Sequence, residues 1–445
     1  MFDYAIVTTA RWETDSIVEW LLYHRSIGFG HVYVYCNDDE PLALYEVLLP
    51  FTDGPAPFVT FVHFGLLGLQ RQMLLHCLRT YRHETRWLAF LDVDEFLLLR
   101  DAGDIRTFMT TMPPDTDCVY FNWIFFGTSG FVTRPNGSTL QQYKRRQAVV
   151  HPLTKVLLRT ALVTDAWLAT NPIHNFWHEI GDTLGPIAIY NVLGEPCNSY
   201  YHGFPEAAQQ SLSGPRGPAI LGRAVVHHYT LKSEADFKRR VERGTKGEFP
   251  NQIIWTQVVE RGEAQAFLDA TNEVEDTTLA EYWQRHLARG WQRSLIAAPP
   301  GPNLALNRPA LQSSVSEWSH GDAATDATRV TNGTISSRPQ CHTAHEDAPW
   351  WQVDLGGTLP VMEVRIFNRL DSGQDRLSRF ALSVSQDGVQ WRVVQRKDDN
   401  RIVGGADGNP HIWRTAPPDP ARFVRITLLG RNFLTLDQVE VYGPN

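Results

Sequence analysis

No run of the 445-residue sequence approaches the roughly 18 consecutive apolar residues that a bilayer-spanning helix requires, which leaves no candidate transmembrane helix. Basic residues never cluster beyond Lys144-Arg145-Arg146. With a formal net charge of −8 and a pI near 6.1, the chain lacks the electrostatic footprint of a nucleic-acid binder. Cysteine is scarce as well: Cys36, Cys77, Cys118, Cys197 and Cys341 are odd in number and scattered, which suits reduced thiols better than a disulfide framework. The amino terminus, Met1-Phe2-Asp3-Tyr4-Ala5-Ile6-Val7, enters a strand without a basic or apolar leader region. A cytoplasmic location is the expectation from both features. Signs of disorder are missing too, since 11% aromatic and 20% charged residues describe a packed globular chain, long enough for two or three domains.

The most informative stretch is Trp87 to Leu99, Trp-Leu-Ala-Phe-Leu-Asp-Val-Asp-Glu-Phe-Leu-Leu-Leu. Its leading apolar residues, Trp87 to Leu91, are too few for an ordinary helix and bulky enough for a strand buried on both faces. Continued as extended backbone, that strand points Asp92 and Asp94 to one side and Val93 back into the core. Carboxylates at the carboxyl end of a buried strand need a cation or hydrogen bonds, and that end is where open α/β sheets bind ligands. A hard divalent ion carrying substrate phosphates fits these residue types. A helix N-cap followed by a solvated acid fits them too, because the pattern is short.

Taken in order, residues 4 to 9 read as a first strand. A helix follows, carrying Ile17, Val18, Leu21 and Leu22, capped by Thr14 or Asp15 and closed by Gly28. Further strands are expected at His31 to Tyr35 and Phe58 to Phe64, then a helix with Leu69, Met73, Cys77 and Tyr81 on one face. This alternation implies a mostly parallel sheet covered on both sides. The polar clusters after each strand then converge on one crevice.

The succession Arg11-x-Glu13, Glu19-Trp20-x-x-x-His24, Asn37-Asp38, Trp87-Leu88 and Asp92-Val93-Asp94-Glu95-Phe96 resembles the family-two-like glycosyltransferases of GT-A fold. Asn122-Trp123, Phe126-Gly127-Thr128-Ser129-Gly130, Lys155 and His228-Tyr229-x-x-Lys232-Ser233 extend the likeness over roughly residues 1 to 260. The resemblance implies transfer of a sugar from a nucleotide-diphosphate donor, a UDP- or GDP-sugar, to an oligosaccharide or polysaccharide acceptor, usually with inversion. It implies Mn²⁺ or Mg²⁺ held by Asp92, Asp94 and His228, and donor contacts from Arg11, Glu13, Asn37, Asp38, Asp92, Lys155 and Lys232. The chemistry agrees, because cleaving a glycosyl phosphate leaves negative charge that a clamped cation stabilises. Planar hydrogen bonding by Arg11, Asn37 and Asp38 likewise suits a base and a ribose. Plainer alternatives stand beside these: Asn37-Asp38 as turn residues, His228 as an interior histidine, and Lys232, Lys238 and Arg243 as a solvated helix face. Inversion needs a base. The stretch His174-Asn175-Phe176-Trp177-His178-Glu179 offers several; Glu179 is favoured, with His174 and Glu95 as competitors. Where that family commonly has Lys-Asn-Glu this chain has Arg11-Trp12-Glu13, and Cys36 stands where Asp is usual.

Residues 262 to 296 read as helical and end in Ala297-Ala298-Pro299-Pro300-Gly301-Pro302, a linker that divides the chain into domains 1–296 and 303–445. Short strands at Trp351 to Leu355, Val361 to Phe367, Phe380 to Ser385, Trp391 to Gln395, Phe423 to Leu428 and Gln438 to Tyr442 then predict a β-sandwich. Asn303-Leu304-Ala305-Leu306-Asn307-Arg308-Pro309, Pro349-Trp350-Trp351-Gln352-Val353-Asp354-Leu355-Gly356 and Val439-Glu440-Val441-Tyr442-Gly443 resemble the discoidin-like jelly roll. Within that group, His342-Thr343 followed after 27 residues by Arg369-x-Asp371-x-x-x-x-Arg376 resembles the fucose-binding F-type lectins. The implied glycan site is His342, Arg369, Asp371 and Arg376. Two guanidinium groups and an imidazole donate to the sugar while Asp371 orients the arginines; a surface ion-pair cluster is the plain alternative. The adjacent cysteine pair of many such lectins is replaced by Ser372-Gly373-Gln374-Asp375. A structural Ca²⁺ on Asp326, Asn332 and Glu440 is also implied, with Thr328 where an Asn is usual.

The expectation is thus an α/β GT-A domain, Rossmann-like with a mostly parallel sheet, followed by an all-β jelly roll of discoidin/F-type lectin kind. Its function would be metal-dependent glycosyl transfer assisted by a glycan-binding module. A catalytically inactive glycan-binding protein and a nucleotide-sugar hydrolase are the alternatives.

Overall fold

The computed structural model describes the chain except residues 54–56, 67, 171–182, 198–211, 244–257, 290–295 and 406, and the side chains of 239–243 and 288–289. By internal packing it divides into one unit of Met1–Pro135 with Thr139–Ala280 and a second of Asn136–Ser138 with Glu281–Asn445. That division falls inside the helix Thr278–Arg289, ahead of the boundary expected at residue 296.

In the first unit β1 (Phe2–Ala10) contributes Ala5, Ile6 and Val7, all without solvent exposure, as befits a strand covered on both faces. Helix α1 (Ile17–Ser26) begins after Ser16, with no side-chain cap, where Thr14 or Asp15 was expected. The backbone turn Ile17 N–H to Glu13 C=O (2.9 Å) takes the place of a cap, and Gly28, at φ 97°, closes the helix. The chain continues through β2 (His31–Cys36), α2 (Leu42–Thr52), β3 (Val59–His63), α3 (Gln70–Tyr81), β4 (Thr85–Phe90), β5 (Glu95–Leu99), α4 (Ile105–Thr110) and β6 (Cys118–Phe125). Then come α5 (Thr139–Gln142), β7 (Arg145–Arg146), β8 (Thr154–Arg159), α6 (Asp165–Thr170), β9 (Ile189–Asn191), β10 (Ala224–His228) and β11 (Val274–Glu275). Met73 and Cys77 of α3 are buried, as the helical spacing predicts.

The sheet order is β3-β2-β1-β4-β8-β6-β10-β5, with β9 beside β6. From β3 to β4 the strands are parallel; β8 runs against β4 and β6, β6 and β10 are parallel, and β5 runs against β10. The sheet is mixed, with five of its eight strand pairings parallel and three antiparallel, and β4 passes through a four-residue turn into β5 without a crossover helix. One edge of the sheet consequently collects the carboxyl ends of β1, β2, β4, β6 and β10 and the amino ends of β5 and β8.

The second unit is an antiparallel sandwich. Its larger sheet orders β12 (Ala310–Gln312), β15 (Trp350–Phe367), β18 (His411–Leu428), β16 (Phe380–Ser385) and β17 (Arg392–Lys397), with β21 (Gln438–Tyr442) also on β15. Short ladders pair β13 (Cys341–His342) with β20 (Thr435–Leu436) and β14 (Glu346–Asp347) with β19 (Arg431–Asn432). The two strands expected at 351–355 and 361–367 are one long strand, interrupted by register shifts at Asp354/Leu359 and Val361/Glu363. Trp351, Val353, Leu355, Val364 and Ile366 alternate inward from it to form the core. All five cysteines are buried and outside any disulfide, and no helix among the described residues is long and apolar enough to cross a membrane.

Candidate functional site

Two sites form, one in each unit. In the first, the turn Asp92–Glu95, closed by Glu95 N–H to Asp92 C=O at 3.0 Å, replaces the extended backbone expected there. The turn separates the two aspartates. Asp92 faces Lys155 Nζ (2.7 Å) and Gln70 Nε2 (2.9 Å), and the same Gln70 amide donates to Thr9 Oγ1 at 2.8 Å. Asp94 faces β10 instead. The register that sets His228 opposite Glu95 is continued by Tyr229 N–H to Asp94 C=O (2.8 Å), so His228 Nε2 lies 3.6 Å from Asp94 Oδ1 and 3.8 Å from Glu95 Oε1. Asp94, Glu95 and His228 each present one ligand atom, all within 4.8 Å of one another. Of the expected set Asp92, Asp94 and His228, the structure brings Asp94 and His228 together with Glu95, while Asp92 faces Lys155 and Gln70.

Glu95 shows why. Its side chain has no solvent exposure; Oε2 accepts from Asp92 N–H (3.0 Å) and faces Lys155 Nζ (3.0 Å), whereas Oε1, also buried, has no hydrogen-bond partner among the described residues. Burial pushes its carboxyl well above the usual range against the opposing pull of Lys155. For Lys155, burial acts to lower the pKa, but Asp92 and Glu95 outweigh it and hold the ammonium above its ordinary value. A buried acid set with an imidazole around one point, and balanced from behind by a buried cation, has the chemistry of a metal ligand. Trp123 and Phe125 pack around the His228 ring at 4.7 and 5.2 Å, and His151, lowered to about 4 by burial and then by His228, completes this wall.

The other expected donor contacts lie at the carboxyl ends of β1 and β2. Arg11 Nη1 donates to Asn37 C=O and Nη2 to Asp39 Oδ2, both at 3.2 Å, and Asp38 Oδ1 accepts from Trp12 N–H at 2.8 Å. Lys232, buried and in left-handed conformation, brings Nζ to 3.5 Å from both Glu13 Oε2 and Ser16 Oγ. Lys232 is therefore an interior cation paired with Glu13, not part of a solvated helix face. Lys238 is exposed on the helix Glu234–Arg243, while His174, Glu179 and the side chain of Arg243 lie outside the described residues. Gln70, Thr9 and His151 escaped the sequence reading, since nothing in their local pattern marks them and only the fold carries them to this edge.

In the second unit His342, Arg369 and Arg376 line one pocket of about 260 Å³ with Ser372, Trp318 and His320. Asp371 grips Arg369 bidentately, at 2.7 and 3.0 Å, and the salt bridge lowers its carboxyl despite the opposing effect of burial. Arg376 Nη1 lies 3.1 Å from His342 Nε2. A guanidinium can only donate, so Nε2 is the acceptor and the ring proton sits on Nδ1, which reaches Thr343 C=O at 2.9 Å. Burial, with Arg376 and Arg369 nearby, lowers the His342 pKa below its ordinary value. The imidazole thus orients Arg376 while both line the pocket. Asp326, with no exposure, accepts from His320 N–H (2.7 Å), His342 N–H (2.8 Å) and Gln312 Nε2 (3.0 Å), bracketing the pocket from beneath. Of its expected calcium partners, Asn332 accepts from Thr334 N–H and Glu440 from Tyr442 O–H, so the three side chains serve separate protein donors.

The two units thus present two sites: acids and an imidazole gathered at strand ends in the α/β unit, and a pocket lined by two guanidinium groups in the jelly roll. Residues 7–169 match the model of glycosyltransferase family 92, and residues 310–435 match the F5/8 type C domain. A glycosyltransferase family 92 protein of Ricinus communis is 28% identical over 186 residues, 38% of this chain and 30% of that protein. One of Oryza sativa subsp. japonica is 29% identical over 92 residues, 21% and 15% respectively. The chain thus spans less than a third of each of these relatives. Among solved structures, the lectin domain of lectinolysin complexed with Lewis B antigen is 29% identical, covering 32% of this chain and 98% of that one at a TM-score of 0.28. A Streptococcus pneumoniae fucose binding module is 28% identical, covering 32% and 95% at a TM-score of 0.27.

Proposed function

We propose that the chain is a metal-dependent, inverting glycosyltransferase that takes a UDP- or GDP-sugar at the strand-end crevice and holds part of a glycan acceptor in the pocket of its second unit. The observation that carries this reading is the convergence of Asp94, Glu95 and His228, with Glu95 Oε1 buried and unbonded. Two carboxylates and an imidazole are a donor set that Mn²⁺ accepts more readily than Mg²⁺, which prefers oxygen alone. These residues therefore fit a divalent cation, and Asp94, Glu95 and His228 would hold it. When bound, such an ion offsets the charge that builds on the departing diphosphate.

The remaining work falls to the chain itself. Lys155 neutralises the back of the acid cluster and fixes Asp92, which is left with one side toward the crevice for the ribose or a phosphate-bound water. Arg11, Asn37 and Asp38 frame the nucleoside end. In the jelly roll, Arg369 and Arg376 present oriented guanidinium groups, and the hydroxyls of a monosaccharide such as fucose match their donors. Tethering such a module raises the local acceptor concentration, typically into the millimolar range, without any new contact at the reacting centre. The test is donor consumption with UDP- and GDP-sugars, with Mn²⁺ and with chelator. Turnover that survives chelation unchanged would remove the metal from the reading, and release of free sugar in place of glycan product would make the protein a hydrolase.

A further inference from the structure

Trp12 stands out among the described residues. It is a bulky aromatic held at φ 59°, in the left-handed region that glycine, asparagine and aspartate tolerate and that a large side chain reaches only with strain. Its side chain gains no burial in return, since the residue is 60% exposed. The strain is imposed from outside. Asp38, only 6% exposed, accepts from Trp12 N–H at 2.8 Å and so fixes the backbone, with His63 Nε2 in turn donating to Asp38 C=O at 3.2 Å. The Arg11 guanidinium carbon lies 4.5 Å from the indole centroid, and Arg11 is tied by Asn37 C=O and Asp39. One face of the indole is therefore backed by a planar cation on a braced side chain, and the ring is turned toward solvent at the carboxyl ends of β1 and β2.

We infer that Trp12 is a stacking platform for the nucleobase of the donor and so a specificity-determining residue. This rests on the donor reading above. A planar ring opposite a guanidinium-backed indole gains dispersion and cation–π attraction on one flat surface. Asn37, whose backbone carbonyl holds Arg11, carries a side-chain amide with a donor and an acceptor and no hydrogen-bond partner among the described residues, which matches the hydrogen-bonding edge of a base. An acceptor sugar could also lie on an indole, but it would not call for the base-edge amide beside it.

The decisive comparison uses the full chain with Mn²⁺ and three probes by calorimetry: UDP, GDP and inorganic pyrophosphate, which has no base. Trp12→Asn removes the ring and suits the left-handed backbone, whereas Trp12→Phe keeps a ring. Trp12→Asn is expected to weaken the preferred nucleoside diphosphate by about 10-fold, leave pyrophosphate unchanged and keep or raise the thermal midpoint. Trp12→Phe is expected to retain most of the affinity. Unchanged nucleotide affinity in Trp12→Asn overturns the inference, as does an equal loss for pyrophosphate, which would mark a structural defect. A raised acceptor KM with unaltered nucleotide binding overturns it as well and gives the ring to the acceptor. If the native protein binds neither UDP nor GDP, the donor reading itself fails, an outcome distinct from the others.

Discussion

Replacing Lys155 by methionine tests whether the acid cluster is built around an internal cation. The lysine side chain is 1% exposed and lies 2.7 Å from Asp92 and 3.0 Å from Glu95, whose side chains are 31% and 0% exposed. Methionine keeps much of the volume and removes the charge, so the loss is electrostatic. Breaking a buried pair by deleting one partner costs about 3–5 kcal/mol. Asp92 can draw on solvent and keeps Gln70, so its share is screened, while Glu95 keeps only the Asp92 N–H. The lower end, about 3 kcal/mol, follows, which corresponds to a fall of about 6–12 °C in the midpoint of the first unit at about 2–4 °C per kcal/mol. Thermal and urea unfolding followed by far-UV circular dichroism would report it. Lys155→Met combined with Glu95→Gln should recover part of the loss, because the stranded acid is then neutral; the two changes are in contact and will not add. A Lys155→Met protein within about 0.5 kcal/mol of the native one, the scale of an ordinary surface substitution, would refute the argument.

Other consequences can be checked in parallel. Arg369→Ala with Arg376→Ala should abolish binding on a glycan array while leaving donor hydrolysis intact, and deletion of residues 303–445 should raise the acceptor KM similarly; equal acceptor kinetics would give the module another role. Asp326→Asn should cost the second unit about 1–3 kcal/mol, since an amide nitrogen would face backbone donors that a carboxylate oxygen now satisfies; an unchanged unfolding midpoint would contradict the bracket role. Acid should destabilise the fold below about pH 6.5. His24 and His227 are lowered by burial to about 3, and His31, His151 and His411 to about 4. Between those values and the unfolded value near 6.5 the unfolded chain binds more protons, so stability present above pH 6.5 is lost on acidification. A thermal midpoint that stays flat from pH 7 to 4.5 would show that these rings are not buried.

Much of this architecture was legible because its signals are local. The apolar run Trp87 to Leu91 marks β4, and His342, Arg369 and Arg376, which the likeness to F-type lectins implies as one site, line one pocket. What stayed hidden depends on backbone geometry or on distant partners. Period-two alternation put Asp92 and Asp94 on one side; a turn closed by Glu95 N–H sends them apart and brings Glu95 to His228. Lys155 stands out only for its place in a motif, and the reason for it, charge balance in a buried cluster, appears when β8 pairs with β4 and β6. The His342 proton could not be placed either, because it is fixed by a carbonyl on one side and a guanidinium on the other.

The central claim is that Asp94, Glu95 and His228 form a cation site that serves a nucleotide-sugar donor. Its most direct test is titration of Mn²⁺ in the presence of UDP or GDP, by calorimetry, into the native protein and into Asp94→Asn and His228→Ala. The account predicts a single saturable site in the native protein and a loss of Mn²⁺ affinity of at least about 10-fold in each variant, with folding intact. Equal Mn²⁺ affinity in all three proteins, or nucleotide binding indifferent to Mn²⁺, would contradict it.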